Sequence, residues 1–80
     1  MTKADLKQDF IKSKQNGSKL MLVSILTKAT QCGLRRAKFE LVDIIMWESK
    51  SLEEFDRLWA LLTKEEKLNL RKYKQDDTSN

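Results

Sequence analysis

Eighty residues make a single small domain, and its 40% hydrophobic and 35% charged residues exclude both a disordered chain and a membrane protein. The sequence has no proline and only two glycines, so it lacks most of the turn residues that sheets need, and the predicted fold is all-α. The net charge of +4 combines a basic stretch, residues 1–38, with an acidic one, residues 39–62, and does not by itself predict a nucleic-acid partner.

Five helical segments are predicted in chain order, and they would form a compact bundle of four or five short helices. The predicted segments are Lys3–Gln15, Lys19–Gln31, Leu34–Ser49, Leu52–Leu62 and Lys64–Lys74. We expect residues 1–74 to form one helical domain and residues 75–80 to be a polar, disordered tail.

Capping signals mark the ends of these helices. Three pairs have the spacing of a capping box: Thr2 with Asp5, Ser51 with Glu54, and Thr63 with Glu66. Ser18 is the predicted N-cap of the second helix. Asn16-Gly17 and Cys32-Gly33 are the predicted stops of the first and second helices, because asparagine and glycine tolerate the left-handed conformation.

The third predicted helix is apolar over an unusually wide arc. One stripe contains Leu34, Ala37, Leu41, Ile44 and Ile45, and an adjacent one contains Phe39, Val42 and Met46. At 3.6 residues per turn the two stripes span roughly 220° of the helix, more than a surface helix needs. The helix is therefore predicted either to be central in the bundle or to offer a second apolar face to a partner.

A candidate protein interface follows from that second face. Trp47 projects on the polar side of the predicted helix beside Arg36, and tryptophan with arginine is typical of interaction hot spots. The predicted interface residues are Arg36, Phe39, Val42, Met46 and Trp47. The alternative for Trp47 is packing over the loop that follows the helix.

The core is predicted to form around the second and third helices. Its expected members are Leu22, Val23, Leu26, Leu41, Ile45, Phe55, Trp59 and Leu62. These positions are apolar and recur at helical spacing on one side of each segment.

Enzymatic chemistry is not predicted. The chain has no histidine, and Gly17 and Gly33 lie too far apart to form a phosphate-binding loop. The single cysteine, Cys32, leaves no usual zinc-ligand set, so we expect neither a metal nor a cofactor. One cysteine and a polar chain start predict a reducing compartment, the cytoplasm. The longest apolar run, residues 20–26, is too short to insert across a membrane.

Nucleic-acid binding is the alternative function. The fourth and fifth predicted helices, with an abrupt junction between them, resemble a helix-turn-helix in outline. The candidate basic patch comprises Lys12, Lys14, Lys19, Arg35, Arg36 and Lys38. Glu65 and Glu66 at the start of the fifth helix would repel phosphate, so the sequence favours a protein partner.

A homodimer is also predicted, because a domain of this size buries little core and its third helix has apolar surface to spare. The expected contact includes Phe39, Val42, Met46 and Trp47. The competing explanation is that the first and fifth helices cover this stripe within one chain, since Phe10 and Ile11 are available to do so.

In composition the whole chain resembles the small accessory proteins of T-even-type bacteriophages. It has a polar start, twelve lysines to four arginines, and neither proline nor histidine. The resemblance implies a regulatory protein of the host cytoplasm that acts by binding a host or phage protein. It assigns no functional residue.

Overall fold

The computed structural model describes residues 1–45 and 53–73, and every regular element within these ranges is a helix. In chain order the elements are α1 (Lys3–Gln15), α2 (Lys19–Thr30), a π-helix (Arg36–Val42), α3 (Glu53–Leu61) and α4 (Lys64–Lys72). The radius of gyration is 12.0 Å, as expected of a compact chain of this length. The predicted all-α bundle is therefore confirmed, whereas the predicted tail lies outside the described residues.

Two of the predicted capping boxes are present. The Thr2 hydroxyl accepts from the Asp5 amide at 3.1 Å while the Asp5 carboxylate accepts from the Thr2 amide at 2.9 Å. Thr63 and Glu66 make the same reciprocal pair at 3.1 and 2.9 Å. Each box satisfies two amides that the first turn leaves unpaired. Ser51, the cap predicted for α3, lies outside the described residues.

The two helix stops differ from one another. Gly17 has φ +62°, so the first stop is confirmed. At the second, the residue in the left-handed region is Gln31, with φ 60°, and not Gly33. The Thr30 hydroxyl donates to the Leu26 carbonyl at 2.6 Å and accepts from the Cys32 amide at 3.4 Å, so the chain turns one residue earlier than predicted.

Helix α2 occupies the centre of the described fold, because α1, the π-helix and α4 all pack against it. Seven of the eight predicted core residues are buried, and Trp59 is partly buried against them. The core also contains residues that the sequence analysis omitted: Leu6, Phe10, Ala29, Ala37, Val42, Leu58 and Leu70. The Phe10 and Phe55 rings are 5.6 Å apart and the Phe55 and Trp59 rings 6.4 Å apart, so an aromatic row joins α1 to α3.

The third element departs most from prediction. An α-helix over Leu34–Ser49 was expected, but the structure has a π-helix that ends at Val42, and residues 46–52 lie outside the described part. The Asp43 amide donates to the Lys38 carbonyl, five residues back, at 2.8 Å. Hydrogen bonds of this spacing bring residues four and five apart onto the same side. Ala37, Leu41 and Val42 have that spacing, and all three are buried.

Candidate protein interface

Three large apolar side chains in and beside the π-helix are exposed. Leu34 is 65% exposed, Phe39 56% and Ile44 47%. Leu34 lies just before the π-helix, Phe39 lies within it and Ile44 lies just after it. They are five residues apart, so a continuation of the same wide turns would place them on one side. Arg35 and Asp43, both exposed, lie four residues before and after Phe39. We call Leu34, Arg35, Phe39, Asp43 and Ile44 the outer face.

The charges of the outer face are ordered along the chain. Arg35 precedes Phe39 and Asp43 follows it, and neither forms an ion pair within residues 1–45 and 53–73. Beside them, the Lys38 ammonium lies 5.3 Å from the centroid of the Phe39 ring. This cation–π contact is exposed and therefore weak, so it leaves Phe39 able to contact another molecule.

The opposite side of the π-helix is held by a bidentate ion pair. The Arg36 guanidinium donates from Nη2 to Glu66 Oε1 at 2.8 Å and from Nε to Glu66 Oε2 at 3.1 Å. Nη2 also donates to the Leu61 carbonyl at 2.8 Å, so Arg36 joins the π-helix to both α3 and α4. Two parallel hydrogen bonds fix the orientation of the guanidinium relative to the carboxylate as well as the distance between them.

The Arg36–Glu66 ion pair shifts the pKa of both groups. The hydrogen bond that Glu66 accepts from Arg36 lowers the pKa of Glu66 below the ordinary carboxyl value, although burial opposes the change. The same hydrogen bond raises the pKa of Arg36. Glu66 is buried and also accepts from the Thr63 amide, so its carboxylate is fully used inside the fold.

The five residues of the predicted interface differ in their exposure. Phe39 is exposed, but Val42 is completely buried, so its assignment to a surface is wrong. Arg36 is partly exposed, and its guanidinium donates to Glu66 and to the Leu61 carbonyl. The error at Val42 comes from applying the 3.6-residue period to a helix with wider turns. Met46 and Trp47 lie outside the described residues.

Two residues of the outer face were assigned to the wrong side. Leu34 and Ile44 were placed in the buried stripe of the predicted helix, whereas the structure exposes both. Their five-residue spacing from Phe39 was visible in the sequence, but it identifies a common face only if the helix is known to be a π-helix.

The candidate basic patch falls into two groups. Lys12 and Lys14 lie in the last turn of α1 and Lys19 begins α2, so these three are near the α1–α2 turn. Arg35, Arg36 and Lys38 follow the other end of α2. Since α2 has 12 residues and is about 18 Å long, the two groups lie towards opposite ends of this helix.

No protein-family model matches this chain, and neither a curated protein sequence nor a solved structure matches it. The function is therefore inferred from the surface itself.

No group of three or more cysteine, aspartate or glutamate side chains in residues 1–45 and 53–73 could hold a metal ion. No helix there has the length and apolar character needed to cross a membrane. Cys32 is half-buried, with its sulfur 3.9 Å from the Leu26 carbonyl.

Proposed function

We propose that this chain is a small non-enzymatic protein of the cytoplasm that acts by binding another protein through the outer face of its π-helix. The observation that carries the proposal is the exposure of three large apolar side chains, Phe39 in the π-helix and Leu34 and Ile44 just outside its two ends. A group of large apolar side chains in water is unfavourable unless a partner covers them, and such groups mark interaction sites.

The composition of the outer face supports a protein partner. An aromatic side chain lies at its middle, with an aliphatic one on either side, and charged residues surround them. Interfaces commonly place aromatic residues in the centre and polar ones at the rim. The resemblance to phage accessory proteins is consistent with this proposal and suggests a regulator that covers part of a host or phage protein.

One observation favours the alternative, a DNA-binding module. The ammonium groups of Lys3 and Lys67 lie 5.2 and 5.1 Å from the Trp59 ring centroid, and aromatic side chains with nearby cations are used in nucleic-acid binding. However, Trp59 is partly buried and stacks on Phe55, and α4 uses Glu66 and Leu70 to pack inward. The helix-turn-helix interpretation therefore ranks second.

Affinity capture from the native host tests the proposal. The tagged wild-type chain is compared with Phe39→Asp, which puts a charge at the centre of the outer face, and with Leu20→Asp. Leu20 is 74% exposed but lies in the first turn of α2, so it is a matched control. We expect the wild type and Leu20→Asp to retain the same protein and Phe39→Asp to lose it. Equal retention by all three would place the binding site elsewhere.

Titration with duplex DNA at several salt concentrations tests the alternative. Phosphate contacts make log affinity fall with log salt at a slope of about −0.9 per contact. Tight binding with a steep slope, unaffected by Phe39→Asp, would favour the DNA-binding module over the proposed protein interface.

A further inference from the structure

We propose that the occupant of the outer face is a second copy of this chain, bound antiparallel across a two-fold axis that passes beside Phe39. This proposal rests on the proposed function of the outer face and goes beyond it by naming the partner.

The residue order of the outer face is self-complementary. Leu34 and Arg35 lie five and four residues before Phe39, just ahead of the π-helix, and Asp43 and Ile44 lie four and five residues after Phe39, just past the end of the π-helix. When two such faces meet antiparallel, the start of one lies level with the end of the other. Leu34 then meets Ile44 of the second copy, and Arg35 lies level with Asp43 of the second copy. The two Phe39 rings meet at the axis.

Charge selects this orientation over the parallel one. Neither Arg35 nor Asp43 has an ionic partner in the described part of its own chain. A two-fold axis repeats every contact, so the antiparallel dimer contains the Arg35–Asp43 pair twice. Parallel packing would instead bring Arg35 beside its own copy and Asp43 beside its own copy. Like charges at a contact disfavour the arrangement that creates them.

The size of the outer face sets the expected strength of the dimer. The five residues of the outer face cover less than the 1,200 Å² or so that stable interfaces bury. We therefore expect a reversible equilibrium between monomer and dimer, and not a permanent dimer. The dimer should accumulate only at roughly micromolar concentration or above.

Reversing the charge at position 35 or position 43 of the full chain tests the proposal. Dimerisation is measured by sedimentation equilibrium over a concentration series. Arg35→Glu gives both ends of the outer face a negative charge, and Asp43→Arg gives both ends a positive one. Each variant should repel its own copy and dimerise at least about tenfold more weakly than the wild type. An equimolar mixture of the two variants should recover the dimer, because opposite charges then meet at both ends. Both positions are exposed, and circular dichroism confirms that each variant is folded.

Leu68→Asp is the control, since Leu68 is an exposed leucine on a different helix, α4. It should dimerise as the wild type does. A wild type that stays monomeric at all concentrations, or single variants that dimerise as well as the wild type, would overturn the second-copy proposal. If Phe39→Asp nevertheless loses a captured protein in the host experiment, the proposed function survives with a different partner. If it retains that protein, the proposed function fails, whereas the second-copy proposal stands or falls by the sedimentation results alone.

Discussion

At the scale of single residues, the contact between Arg36 and Glu66 makes stability depend on pH. Hydrogen bonding to Arg36 lowers the pKa of Glu66 in the folded chain, so the unfolded chain binds a proton more readily. The stabilisation is fully present above the ordinary value of 4.5 and is lost as pH falls through the lower, folded pKa. We predict that lowering the pH from 5 to 3 decreases the free energy of unfolding of Glu66→Gln by less than it decreases that of the wild type.

Urea unfolding at a series of pH values measures this difference. Glu65→Gln is the control, because Glu65 is the neighbouring carboxylate and is exposed. Its pH dependence should follow that of the wild type. Parallel curves for Glu66→Gln and the wild type would contradict the role given to the ion pair.

A second prediction at this scale concerns the core. Leu41 lies on the inner side of the π-helix and is completely buried. Its truncation to alanine removes apolar contacts and leaves a cavity. Leu41→Ala should lower the free energy of unfolding by about 2–5 kcal/mol. Leu20→Ala, at an exposed position, should change it by less than about 0.5 kcal/mol. Chemical denaturation of the two variants checks the prediction, and similar losses in both would contradict the burial of Leu41.

Single residues also show why some features were predictable and others were not. Thr2 with Asp5 and Thr63 with Glu66 are three residues apart, so their caps can be recognised in the sequence. Arg36 and Glu66 are thirty residues apart, and no local pattern links them. Leu22 and Leu26 follow the α-helical period, which is why their burial was predicted correctly.

At the scale of elements, two helix ends use the left-handed backbone conformation with different residues. Gly17 has φ +62° and Gln31 has φ 60°. A side chain in this region is strained by about 1–2 kcal/mol, whereas glycine is not. Gln31→Gly should therefore raise the free energy of unfolding and Gly17→Ala should lower it, each by about 1 kcal/mol. Thermal unfolding of the two variants checks this, and a change of the same sign in both would contradict it.

The π-helix explains where the prediction of the interface failed. An α-helical wheel turned Val42 outward and Leu34 and Ile44 inward, and the structure reverses all three positions. Four- and five-residue spacing accounts for the buried and exposed residues together. Local propensity does not distinguish the two helix types here, because the segment consists of ordinary helix-forming residues.

At the scale of the whole molecule, the bundle leaves the outer face uncovered while it buries Ala37, Leu41 and Val42 of the π-helix. Helix α2 lies against α1, the π-helix and α4, and the Arg36–Glu66 pair links the π-helix to α4. Neither α1 nor α4 covers Phe39, so the expectation that other helices of the same chain would do so does not hold for this residue. Its exposure makes the outer face the surface on which a binding partner should lie.

Photo-crosslinking tests this central claim most directly. A photoreactive side chain is placed at position 39 in one sample and at position 20 in another, and the crosslinked products are identified by mass spectrometry. We predict protein crosslinks from position 39, to a second copy or to another protein, and few or none from position 20. Equal crosslinking from both positions, or crosslinking from position 20 alone, would contradict the assignment of the outer face as the interface.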